Sequence, residues 1–169
     1  DWSSDVCSSD LIVGGGYIGV EFAQMYRRFG SQVTVLQSAP TLLATEDEDI
    51  TTALREALVA EGIEVVVNAR VIRVEGGDGD VQVAATVSGQ ETLFSGTHLM
   101  IAVGRVPNTD GLGLETAGVN LDEHGFIKIN DRLETTASGI WALGDVRGGP
   151  MFTHTARRSE EHTSELQSH

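Results

Sequence analysis

The chain alternates short apolar runs with stretches of helical periodicity. Leu11, Ile12 and Val13 form one apolar run, and Gly14, Gly16 and Gly19 follow at G-x-G-x-x-G spacing. Ile18, Phe22, Met25 and Phe29 then recur at three- and four-residue intervals. That period predicts an amphipathic helix with those four residues on its inner face. Gly30 supplies a stop signal, and Val33 to Leu36 make the next apolar run. The segment therefore reads as strand, glycine turn, helix, strand.

The stretch EDEDITTALREALVAEGIEVVVN predicts a second helix and a third strand. Glu46 to Asp49 place acids in the first turn, where the helix dipole favours them; a metal site is the other reading of that run. Leu54, Leu58 and Val59 are expected to face inward, Gly62 to end the helix, and Ile63 to Val67 to form the strand. From Arg70 to Ser95 the period changes to two, around Gly-Asp and Gly-Gln turns, which predicts a β-meander. Asp78 and Asp80 lack the remaining spacing of a calcium loop and read as turn residues. HLMIAVGR predicts a buried strand ending at Gly104, with Pro107 breaking the chain after it. GFIKI predicts a strand following the turn at Glu123 to Gly125, and GIWALGDV an apolar strand ending in Gly144 and Asp145. An acid at the carboxyl end of a buried strand is placed to meet a ligand; a cap for a following helix is the alternative. The whole is an α/β, Rossmann-like pattern with a β-meander crossover.

The two ends do not share this patterning. DWSSDVCSSD and RSEEHTSELQSH are rich in Ser, Asp and Glu. One allowed coding of Asp1 to Asp10 has a reverse complement that encodes RSEEHTSELQ, residues 158–167. Protein physics gives two termini no reason to be complementary as DNA, and the string resembles a sequencing-library adapter. Residues 1–10 and 158–169 are therefore expected to be adapter-derived and are set aside from fold reasoning; polar tails are the alternative.

That exclusion changes the charge. The formal net charge is −14. Asp1, Asp5 and Asp10 carry −3 of it, and Arg158 with Glu160, Glu161 and Glu165 carry −2, so residues 11–157 keep −9. An acidic body argues against a nucleic-acid footprint. The sole cysteine, Cys7, lies in the excluded end, so the body offers no thiol nucleophile, disulfide or thiolate metal site, and no metal ligands are assigned. No apolar run approaches a membrane span and no secretory pattern is visible, so a cytoplasmic location is expected.

The glycines carry the chemistry. Gly14 permits a tight turn, Gly16 lets a pyrophosphate approach the backbone, and Gly19 lets the helix pack on the strands. The helix N-terminus offers N–H groups and partial positive charge to that pyrophosphate. In its strand–turn–helix setting the motif points to a dinucleotide; an incidental glycine loop is the alternative. The acid expected at the end of the second strand, to hold the adenosine ribose, is replaced by Gln37. No Arg or Lys for a 2′-phosphate follows between Ser38 and Thr45, which favours NAD(H) over NADP(H).

GGGYIGVE, IAVGRVPNT and TTASGIWALGDV, in that order, resemble the FAD-dependent pyridine nucleotide-disulfide oxidoreductases (class I), which include dihydrolipoamide dehydrogenase, glutathione reductase and mercuric reductase. The closing GDVRGGPMFTHTA is nearest to the mercuric-reductase-like branch. The likeness covers nearly all of residues 11–156. It implies an FAD/NAD(P)-binding fold, with residues 11–107 as the NAD(P) domain and 108–157 as part of the FAD domain. It further implies that Gly14, Gly15, Gly16, Tyr17, Ile18, Gly19, Val20 and Glu21 wrap the nicotinamide dinucleotide. On the same basis Tyr17 gates the nicotinamide pocket beside the flavin, and Glu21 lies near the flavin and orients a lysine. A helix-start aromatic and a solvated charge are the plainer readings of those two. Gln37 would meet the adenosine ribose, Val71 the adenine and Gly104 the nicotinamide ribose. Asp145 would bond the flavin ribityl chain, and Met151, Phe152, Thr153 and His154 would line the flavin.

The family moves hydride from nicotinamide to flavin and then electrons to a cysteine pair and its substrate. This sequence lacks the first FAD glycine motif, the C-x4-C pair, the partner lysine and the dimerisation domain. It is therefore expected to be an inactive fragment that binds NAD(H) weakly and does not retain FAD, of a parent that is a homodimer. A flavin-dependent NADH oxidase or ferredoxin reductase without a redox disulfide, and a non-catalytic NAD(H)-binding module, are the competing readings.

Overall fold

The computed structural model describes residues 8–149, 151–154 and 156–157. Residues 1–7 and 158–169, which hold most of the two adapter-like ends, lie outside the described residues. The chain divides into two units between Gly104 and Arg105.

In the first unit, strands β1 (Ser9–Val13), β2 (Gln32–Leu36), β3 (Glu64–Val66) and β7 (His98–Ile101) form a parallel sheet in the order β3-β2-β1-β7. Helices α1 (Tyr17–Arg28) and α2 (Glu48–Ala60) make the connections from β1 to β2 and from β2 to β3. Strands β4 (Ala69–Gly77), β5 (Asp80–Val87) and β6 (Gln90–Gly96) make an antiparallel meander that carries the chain from β3 to β7. The Rossmann-like pattern with a meander crossover is thus the observed fold. β1 takes in Ser9 and Asp10 from the stretch read as adapter-derived; a parallel ladder is held by backbone groups, so pairing there does not depend on the side chains.

The two-residue period of the strands explains the layers. Ile12, Val33 and Val35 pack with Ala23, Leu42, Leu58 and Ile63 on the helical side of the sheet. Leu11 and Leu36 pack with Ala69, Val83 and Ala85 on the meander side. A parallel sheet buried on both faces needs largely apolar strands, and LIV and VTVL supply them, with Thr34 the one polar member, bonded through its hydroxyl to the Glu64 carboxylate.

The inner face of α1 is made by Gly19 and Ala23, with Val20, Phe22 and Tyr26 partly buried beside them. Ile18 and Met25 are more than a third exposed, and Phe29 is 77% exposed. The helix lies close to the sheet through its smallest residues, so only Phe22 of the predicted stripe packs inward, and Phe29 sits at the C-cap beyond the last turn. In α2, Leu58 is buried and Leu54 partly so, but Val59 points outward while Thr51 takes an inner position. Successive helical residues are about 100° apart, so Leu58 and Val59 cannot share one narrow face. Gly30 and Gly62 follow the two helices with φ of 102° and 85°, as their C-terminal roles require. β7 is only half-buried and Ile101 is 66% exposed, because β7 is an edge strand of the sheet.

Among its described residues, the second unit contains little regular structure. GFIKI is not a continuous strand: Ile127 bridges Leu121, and Ile129 bridges Thr135. GIWALGDV bridges only at Trp141, to Glu134, before a 3-10 helix at Gly144–Arg147. Val119, Ile127 and Ala142 form its small core, with Leu114, Ile129, Ala137 and Val146 around it. Asn120, Gly125, Asn130 and Gly139 bound these runs closely, which leaves each run room for only single pairings.

Candidate functional site

The glycine turn sits at the carboxyl end of the parallel sheet. Gly14 has φ 112°, its N–H bonds the Leu36 carbonyl at 2.9 Å, and a Cβ there would strike the Ala102 carbonyl. Gly14 therefore lets β1 end wedged between the ends of β2 and β7. Gly19 is buried in α1, and a Cβ on it would strike the Gly14 carbonyl. These two glycines are demanded by the chain's own packing.

Gly16 is different. It is the N-cap of α1, with φ −79°, and nothing lies within 4 Å of where its Cβ would stand. Internal packing does not require glycine there, so its smallness serves whatever approaches from outside. The first turn of α1 contains no acid of its own, which leaves the positive end of the helix available to an anion.

Gly15 is buried under the β2–α2 connection. Its N–H donates to Gln37 Oε1 at 3.1 Å, and its carbonyl accepts from Leu43 N–H at 2.8 Å. Gln37 Nε2 in turn donates to the Thr41 carbonyl at 3.1 Å. Gln37 thus stands beside the glycine turn with its amide already engaged by protein. Tyr17 and Ile18 are exposed at the start of α1, Val20 is partly buried and Glu21 is exposed. The Tyr17 hydroxyl donates to the Glu46 carboxylate. That contact pushes the phenol above its ordinary value of 10.0, with desolvation adding to it and the Thr45 hydroxyl opposing it.

Val71 is half-buried in the meander and lines a shallow cleft of about 660 Å³ with Asn68, Arg70, Thr86 and Ser88. Its strand is joined to the turn region by the Ala69 N–H, which bonds the Gln37 carbonyl at 2.9 Å. Gly104 has φ 135° and stands two residues after Ala102, whose N–H bonds the Val13 carbonyl at 2.7 Å. The first unit therefore brings Gly14 to Glu21, Gln37, the start of the meander and the end of β7 to one edge of the sheet.

The second unit holds the other predicted residues. Asp145 lies in the first turn of the 3-10 helix, not at a strand end. Arg105 Nη1 donates both to Asp145 Oδ2 at 2.7 Å and to the Met151 carbonyl at 2.8 Å. One guanidinium nitrogen thus ties the Gly-Asp turn to the segment at 151–154. In that segment the Phe152 and His154 rings stack at 5.3 Å, and Phe152, Thr153 and His154 are exposed. Sequence reasoning missed Arg105 and Glu46. Arg105 had a visible signal, a lone cation directly after Gly104 in GRVPNT. Glu46 had none, because the acidic run reads equally well as a helix start; Asp47 is indeed the N-cap of α2. Among the described residues no helix is long and apolar enough to cross a membrane.

Known proteins share this arrangement. The sequence pattern of the family described as pyridine nucleotide-disulphide oxidoreductase matches residues 4–159. A dihydrolipoyl dehydrogenase of Thermus scotoductus is 40% identical over 151 residues, 88% of this chain and 32% of the relative. The probable pyridine nucleotide-disulfide oxidoreductase RclA of Escherichia coli is 43% identical over 143 residues, 85% of this chain and 32% of the relative. The solved copper(II) complex of the HOCl-induced flavoprotein disulfide reductase RclA from Escherichia coli superposes with a TM-score of 0.84 at 38% identity, covering 94% of this chain and 36% of that one. The chain thus spans about a third of the length of these relatives.

Proposed function

Because this chain belongs to the pyridine nucleotide-disulphide oxidoreductase family, we propose that its first unit binds a nicotinamide dinucleotide on the glycine turn and that its second unit is part of an FAD site. The family is FAD-dependent and uses a pyridine nucleotide. The whole protein then transfers hydride between nicotinamide and flavin, and onward to a cysteine pair and its substrate. Residues 1–10 and 158–169 are read as adapter-derived flanks.

The observation that carries this reading is Gly16. It sits between two glycines that packing requires, at the N-terminus of α1, with open space where a side chain would stand. Such a site admits a pyrophosphate against the backbone and presents the helix end to it. Gly14, Gly15, Gly16, Tyr17, Ile18, Gly19, Val20 and Glu21 form the cradle. Gln37 faces the adenosine ribose, Val71 the adenine and Gly104 the nicotinamide ribose. Gln37 and the lack of a cation between Ser38 and Thr45 favour NAD(H) over NADP(H). Tyr17 gates the nicotinamide, and Glu21 stands by the flavin.

The flavin, when bound, supplies the hydride acceptor. Asp145 would hold its ribityl hydroxyls, and Arg105 fixes the Asp145 carboxylate and the Met151 carbonyl in place for that task. Met151 to His154 would border the ring. The parent is a homodimer in this reading, with no nucleic-acid partner.

Calorimetric titration of the full chain with NADH, NADPH and FAD tests it. NADH is expected to bind weakly, NADPH more weakly still, and FAD not to be retained. A chain that binds FAD tightly at one equivalent and ignores NADH overturns the assignment.

A further inference from the structure

The β2–α2 connection, residues 37–47, is pinned to the glycine turn along its length. Gln37 takes the Gly15 N–H, and Leu43 N–H takes the Gly15 carbonyl. Leu42 is 1% exposed and packs against Gly15. The Glu46 N–H then closes a turn onto the Leu43 carbonyl at 2.8 Å. That turn brings the Glu46 carboxylate to the hydroxyl of Tyr17, the first residue of α1. Tyr17 is 43% exposed, and Glu46 is exposed as well. A surface phenol ordinarily samples several rotamers, whereas an anionic acceptor bonds its hydroxyl more strongly than a neutral one.

We propose that Glu46 is a positioning residue for Tyr17, setting where the ring of the nicotinamide gate stands and tying that ring to the segment that carries Gln37. The proposal rests on the dinucleotide reading for the word gate, while the contact itself stands on the geometry above. One segment then touches both ends of the site: Gln37 at the adenosine side and Glu46 at the ring. The positive end of α1 favours an anion bonded to its first residue, and the first turn of α1 brings no acid of its own. A pyrophosphate docking at the same helix end places like charge near Glu46 and weakens that preference. Dinucleotide binding therefore loosens the hold on Tyr17 as the nicotinamide arrives.

Ring-labelled tyrosine NMR of the full chain tests this, because the chain has two tyrosines and Tyr26 serves as the internal control. In E46A, and less so in E46Q, the Tyr17 ring signals move and its ionisation midpoint falls towards the ordinary value, while Tyr26 stays still. Saturating NADH moves the wild-type Tyr17 signals towards their E46A positions. Tyr17 signals and midpoint that coincide in wild type, E46Q and E46A overturn the proposal. If E46A moves Tyr17 but NADH perturbs no resonance, the positioning role stands and the dinucleotide reading falls.

Discussion

Replacing Gly19 with alanine separates the two kinds of glycine in the turn. In an ordinary helix interior the change gains about 1 kcal/mol, since alanine is the better helix former. Here the new Cβ strikes the Gly14 carbonyl, which is itself held because Gly14 N–H bonds Leu36 and its own Cα abuts Ala102. Backbone on both sides cannot step aside as a flexible side chain would. Overpacking of this kind costs about 1–3 kcal/mol, and a backbone neighbour puts it towards the upper end. The net loss is about 1–2 kcal/mol. With a urea slope of about 2 kcal/mol per molar, within the usual range of about 1–3, the unfolding midpoint of G19A falls by about 0.5–1 M. G16A is the control. Its Cβ enters open space at an ordinary φ, so stability changes by only about 0.5 kcal/mol, from the weaker N-cap. NADH affinity nonetheless falls about tenfold or more, since the methyl occupies the path of the pyrophosphate. A G19A chain as stable as wild type, or a G16A chain that binds NADH normally, refutes the division of roles.

Other outcomes follow from the same geometry. L58A removes a fully buried side chain between α2 and the sheet and costs about 2–5 kcal/mol in urea unfolding, whereas V59A, at a half-exposed site, stays within about 0.5 kcal/mol. The Asp122 carboxylate accepts the N–H groups of Phe126 and His124, which hold it below its ordinary value of 3.8. A depressed acid stabilises the fold above that value and loses the contribution as pH falls through the folded value. The stability gap between wild type and D122N in thermal melts should therefore shrink from about pH 6 to about pH 3. R105M frees both Asp145 and the Met151 carbonyl, so hydrogen exchange should quicken at residues 144–154 and stay unchanged in the sheet of the first unit.

The first unit was legible because its signals are local and mutually consistent. LIV and VTVL are buried on both faces, the glycines stand where turn and helix need them, and the change of period at Arg70 marks the meander. The inner face of α1 was not legible from hydrophobicity, because close approach to the sheet selects Gly19 and Ala23 over bulkier Ile18 and Met25. The second unit was overread as strands: GFIKI and GIWALGDV have strand composition, but composition cannot show that a segment pairs at single positions only. The tie through Arg105 and the contact between Tyr17 and Glu46 join residues 40 and 29 positions apart, and no local pattern encodes such pairs.

Amide-resolved NMR of the whole chain titrated with NADH shows where on the chain the dinucleotide sits. Saturable shifts are expected, concentrated at Gly14 to Glu21, Gln37, Val71 and Gly104, with residues 119–142 of the second unit unmoved. Shifts that never saturate, or that gather away from the glycine turn, would rule out a dinucleotide site on that turn.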